Sequence, residues 1–204
     1  MVFLYDLTMP EILRRILAAL LHAGLQGGLL AAFLWLGGDR VAKDEGRLTL
    51  NPFRHLALSG VFLCVAFRIS WIQAMPLGPA TRPVPAAARL RPLLAVLASL
   101  AVLLALVPLL DLARAPLHQL LPRGAGYMVL ASMDTLQHVL TGSVLLALLP
   151  LPGMLVGNAL PALWPGFGKR WRRWQGLGMA SAAILVILGW FPNVAALVAA
   201  LRLI

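Results

Sequence analysis

The chain has 204 residues, of which 61% are hydrophobic and only 12% charged, and its apolar residues gather in runs too long for a water-soluble domain of this size. It therefore reads as an integral membrane protein, a single polytopic domain over 1–204. Seventeen basic residues against 7 acidic ones give a formal net charge of +10. The cations lie mostly between the apolar runs, which suits anionic lipid headgroups and leaves no solvated basic face for nucleic acid.

In chain order, the opening MVFLYDLTMPEILRR lacks the basic region, short apolar core and small-residue cleavage site of a signal peptide, so the first apolar run is expected to stay in the protein. Runs of ~20 apolar residues cross the hydrocarbon core at ~1.5 Å per residue. Five such spans are predicted, at about 12–36, 56–75, 93–112, 134–150 and 178–203. The first ends at Gly37 and Gly38, before the charged DRVAKDEGR. The second contains Arg68, whose charge must find a partner or an interface. It also holds Cys64, the single cysteine, so an internal disulfide is excluded. The third is the most uniformly apolar. The fourth stops at LPLPGMLVGN, since closely spaced prolines break a helix, and the fifth is expected to kink at Pro192.

Between the first two spans, GRLTLNPFRH alternates like a short strand, with Leu48 and Leu50 on one side and Arg47 and Thr49 on the other, until Asn51 and Pro52 stop it. The predicted fold is thus all-α with a β-like segment after the first span. The proline-rich QAMPLGPATRPVPAAAR cannot be helical, and residues 73–85 either lie on the surface or re-enter the membrane. KRWRRW at 169–174 mixes cations with indoles, as headgroup regions favour. If the N-terminus is cytoplasmic, five crossings put Arg14, Arg15, Arg82, Arg89, Arg91, Lys169, Arg170, Arg172 and Arg173 on that side. Arg40, Lys43, Arg47, Arg54, Arg114, Arg123 and Arg202 fall opposite, a slight bias for a cytoplasmic N-terminus.

Several stretches together resemble the site-2 protease family of intramembrane zinc metalloproteases. In that family an H-E-x-x-H helix precedes G-D-x-x-A-x-x-x-G-R-L-T-L-N-P-x-x-H-I-D-P, and here Gly38, Asp39 and Ala42, then Gly46 through Pro52 and His55, keep that spacing. The family's W-A-K-P-V-P-V-N-P is similar to WIQAMPLGP from Trp71, and its F-N-L-L-P-I-P-P-L-D-G-G-R to LALLPLPGMLVGN from Leu146. The basic ALWPGFGKRWRRWQGLG before the last span is similar to the tail of those proteases. The matches run in order over most of the chain, and they imply a site-2-protease-like core.

The departures fall on the chemistry. Such a peptidase needs two His one turn apart and a third ligand to hold Zn²⁺, with a Glu beside the first His as general base. Aligned on GRLTLNP, His22 takes the first His position, Ala23 the Glu position and Gln26 the second His position, while Leu155 stands where the third ligand, an Asp, belongs. Ala147 replaces the Asn before it. One of three ligands remains and the base is absent, a loss that alone removes ~10²–10⁴ of rate. The resemblance therefore implies a pseudoprotease with no catalytic residue and no zinc.

His22 retains three readings. It is a buried His satisfied by a backbone carbonyl or by Gln26; or it ligates a tetrapyrrole, pigment or haem, with the small Ala18 one turn below it; or it shares a residual metal site with Asp134 and His138, which lie at i and i+4. Asp134 and His138 read otherwise as a local pair at a helix start. His55, after NPFR, is expected at a solvated or interfacial turn. Arg68 and Asp111 are the candidate buried ion pair. Gly24, Gln26, Gly27 and Gly28 make a small-residue face on the first span, suited to a partner helix.

These readings point to an inactive site-2-protease-like protein, in a bacterial inner (cytoplasmic) membrane, that binds transmembrane helices as an adaptor or accessory subunit of a larger complex. An atypical intramembrane metallopeptidase and a tetrapyrrole-binding subunit are the alternatives.

Overall fold

The computed structural model describes residues 7–75, 77, 85–164, 166 and 168–202. Among them three helices are long and apolar enough to cross a membrane: α1 (Met9–Leu36), α5 (Arg91–Leu112) and α7 (Arg123–Leu148). Shorter helices fill the intervals: α2 (Val41–Asp44), α3 (Leu58–Phe67), α4 (Ala86–Arg89) and α6 (Arg114–Leu120), then α8 (Leu155–Leu163), α9 (Gly168–Arg173), α10 (Gln175–Ile187) and α11 (Val194–Leu201).

α1 begins where extended Thr8 is followed by Pro10, whose missing N–H costs nothing in a first helical turn. It ends at Gly37, after which Gly38 takes a φ of +88° that a side chain would resist. α5 runs antiparallel to α1, since Gln26 bonds to Ser99 near the middle and the Arg91 guanidinium reaches Gly37 O at the end. α7 runs parallel to α1, and its Gln137 donates to Val107 O of α5. The seam between the three is Leu30, Leu34, Leu100, Leu103, Leu140 and Val144, all buried.

The second apolar run is helical only over α3. Arg68 closes it with φ 57° and ψ 32°, a left-handed C-cap usually taken by glycine. The chain then returns in extended form, so that the Gln73 N–H meets His55 O at 2.7 Å and Leu56 makes an isolated antiparallel bridge with Ile72. The segment thus goes in as a helix and comes back as a strand-like tail instead of crossing at 56–75. That bridge is also the nearest approach to a sheet among the described residues: the β-like segment predicted over GRLTL does not form, and residues 49–55 lie against α1 instead.

The fourth run starts at Arg123, well before Asp134, because its less apolar first turns remain helical. The fifth is divided at 188–193, where Gly189 (φ +72°) and Pro192 interrupt it, and α11 packs back on α7. Of the proline-rich 73–85, residues 76 and 78–84 lie outside the described residues.

These returns regroup the charges. Arg114 and Arg202 sit with Arg14, Arg15 and Arg68 at the Glu11 end of α1. Arg91 sits at the Gly37 end, not beside Arg14 as five crossings required. Arg47 reaches Ala74 O, and Ala74 borders the same cleft as Trp171 and Arg172, which brings basic α9 to that side too.

Candidate functional site

Between α1, α7 and the loops after α3 and α7 lies a small cavity lined by His22 and Gln26, by Ser70, Trp71 and Ile72, and by Ser143, Ala147, Gly153, Met154 and Leu155. Its volume is about 10 Å³, room for a single water. The 3.6-residue period puts His22 and Gln26 on one face of α1. Leu155 arrives at the first residue of α8, after Pro150 and Pro152 have ended α7 and turned the chain.

His22 is 2% exposed and Gln26 1%. Gln26 donates its amide to Ser99 Oγ at 2.9 Å, and that hydroxyl donates to Val96 O at 2.7 Å, so the amide is turned toward α5. Gln26 Oε1 and His22 Nδ1 are buried with no hydrogen-bond partner. Ser143 Oγ accepts from the Ser70 N–H at 2.8 Å and ties the returning tail of the α3 hairpin to α7. The expected bond between His22 and Gln26, or between His22 and a backbone carbonyl, is not made at Nδ1.

This rim offers a metal one imidazole and one neutral amide oxygen, and Leu155 offers nothing. Among the described residues no group of three His, Cys, Asp or Glu lies within reach of one ion. The donors do not fit Zn²⁺, and no side chain on the rim accepts a proton as a carboxylate would. This arrangement leaves no room for a tetrapyrrole at His22 either: the cavity there has room for a single water, and Ala18, one turn below, is packed with Ala19 against Cys64 and Val139. Asp134 and His138 are not brought to the cavity. His138 Nδ1 donates to Asp134 O at 2.9 Å and lies 3.5 Å from its carboxylate, deep within α7 and not at a helix start.

The small-residue face of α1 is closed by the chain itself. A Cβ on Gly24 would collide with Leu50 O, on Gly28 with the Leu50 side chain and Thr49 O, and on Gly27 with the imidazole of His55. His55 is fully buried, not solvated, and its Nε2–H donates to Thr49 O at 2.9 Å. Burial pushes the His55 imidazole below its ordinary value of 6.5; the bond to Thr49 opposes this and the nearby Arg47 charge adds to it.

The pair expected between Arg68 and Asp111 is not formed. Arg68 Nη2 meets Glu11 Oε1 at 2.7 Å, because the left-handed turn aims its side chain back at the start of α1. Asp111 lies 3.2 Å from Arg114 on the next turn. Glu11 also takes Arg14 at 2.7 Å and Arg15 at 2.8 Å. The sequence signal for this cluster was Glu11 three and four residues before Arg14 and Arg15. Ser99, the partner of Gln26, was signalled only as a lone hydroxyl in the most apolar run.

No family model matches the chain, and neither the curated proteins nor the solved structures give a match.

Proposed function

We propose that this chain is a catalytically inactive, site-2-protease-like membrane protein that binds transmembrane helices as an adaptor or accessory subunit. The observation that supports the reading is convergence. His22, Gln26 and Leu155, which the resemblance assigns to the three metal-ligand positions, border one cavity. Trp71 and Ile72 from the second similar stretch, and Ala147 and Gly153 from the third, complete its wall. Segments more than a hundred residues apart meet at the positions where a peptidase of this plan does its chemistry, with hydrocarbon and amide in place of ligand and base.

A helix reaches the glycine face of α1 only by displacing residues 49–55, so in this reading that segment is the gate to the binding surface. The same reading puts the chain in a bacterial cytoplasmic membrane, with the richer cationic end, around Gly37, Arg91 and α9, facing inward.

The test is purification in a mild detergent with metal analysis. A stoichiometric helical membrane partner without zinc is the expected result. Cleavage of a helical substrate in a bilayer, stopped by a chelator, overturns the proposal, as does recovery of the chain only as a partnerless monomer.

A further inference from the structure

At the Glu11 end of the bundle the charges do not balance. Arg14, Arg15 and Arg68 converge on the single carboxylate of Glu11. Beside them Arg114 and Arg202 share Asp111 and Asp134. Among the described residues, five guanidiniums over three carboxylates leave two positive charges within one layer, a costly surplus at the edge of a bilayer. The surplus lies on the Glu11 side. Both Glu11 oxygens are occupied, Oε2 by Arg14 and Oε1 by Arg15 and Arg68, while Arg68 Nε is buried without a partner.

A cavity of about 360 Å³ opens directly onto this surplus, with Arg14, Arg68 and Arg114 in its wall and Tyr127 and Thr135 from α7 beside them. Arg68 occupies it from a left-handed backbone position that disfavours any side chain, so the fold holds a guanidinium here against local strain. The layer lies about 39 Å along α1 from the Arg91 contact with Gly37, at ~1.5 Å rise per residue, which is close to the full thickness of a bilayer with its headgroups. Tyr127, exposed in the same wall, suits that depth.

We infer that this notch binds a phosphate group, held by Arg14, Arg68 and Arg114, as a phospholipid headgroup or as a free phosphate. Guanidinium forks match phosphate oxygens bidentately, and a bound anion offsets at least one of the two charges that Glu11 leaves. The site stands apart from the His22 cavity and does not depend on the pseudoprotease reading.

Native mass spectrometry of the detergent-purified chain tests it, with phosphatidylglycerol and phosphatidylcholine offered together. The expected result is one phosphatidylglycerol retained per chain, at least about tenfold over phosphatidylcholine, with retention cut at least about tenfold by Arg14→Gln and by Arg68→Gln, the scale of one charge-assisted hydrogen bond. Arg91→Gln, at the far end, leaves retention unchanged. Arg14→Gln keeps Arg15 and Arg68 on Glu11, so it reports on binding even if Arg68→Gln does not fold. Millimolar inorganic phosphate distinguishes the sources: displacement of the lipid assigns the site to free phosphate, and persistence assigns it to the headgroup. Equal retention of the two lipids, or retention unaffected by Arg14→Gln in a folded protein, overturns the inference.

Discussion

The imidazole of His55 fills the space that a side chain on Gly27 would need: a Cβ added there would overlap the ring's Cγ and Nδ1. The glycine is therefore the socket into which the loop after α2 locks. Gly27→Ala is expected to destabilise the chain by about 1–3 kcal/mol, as overpacking of a filled site does. His55→Ala vacates the space, so the double variant should be more stable than the two single losses sum to, with a coupling of about 0.5–3 kcal/mol. Thermal unfolding of the four proteins in one detergent measures the cycle; strict additivity would show that the two residues are not in contact.

The same histidine gives the fold a pH dependence. Its folded-state pKa lies below the ordinary 6.5 because burial disfavours the imidazolium. The unfolded chain therefore binds more protons between the two values, and stability rises with pH across that window. The contribution is complete above about pH 6.5 and is lost as pH falls toward the lower, folded value. His55→Gln, which keeps a donor for Thr49 O but does not titrate, should flatten the melting temperature between pH 5 and 7 relative to the native chain. An unchanged slope would show that another group sets it.

Rebuilding the ligands tests whether the degenerate positions truly converge. The double change Gln26→His and Leu155→Asp places a second imidazole and a carboxylate on the rim that already carries His22. One equivalent of zinc per chain is expected, against none for the native sequence. At a hundredfold excess of free zinc over Kd the gain in stability is about 2.7 kcal/mol, abolished by a chelator or by His22→Ala. Failure of the folded double variant to take zinc would mean that the three positions do not point at one another, and the likeness to a zinc peptidase would lose its structural support.

The regrouped cations carry a prediction about orientation. With α9, Arg47 and Arg91 at the Gly37 end, that end should face the cytoplasm. A membrane-impermeant thiol reagent applied to intact cells should label Tyr127→Cys and spare Lys43→Cys; the native Cys64 is buried and does not interfere. Labelling of Lys43→Cys alone would reverse the assignment.

Much was legible in the residues. α1 was marked at its end by paired glycines and α5 by an unbroken apolar run, because a helix in hydrocarbon must satisfy its backbone internally and so needs about twenty apolar residues in sequence. The 3.6-residue period likewise put His22 and Gln26 on one face before any coordinates. The sequence determined, by itself, that this chain lives in a membrane and that alanine, not a carboxylate, follows His22 along the chain.

Tertiary structure decided the rest, because hydropathy measures how apolar a segment is and carries no sign for direction. The left-handed turn at Arg68 ends α3 and begins the return of the run from Leu56 to Met75, and it aims Arg68 at Glu11; contacts made elsewhere in the fold set Arg91 beside Gly37 and His55 in the notch at Gly27. Which charges share a layer, and which loop covers which glycine, follow from where the chain turns.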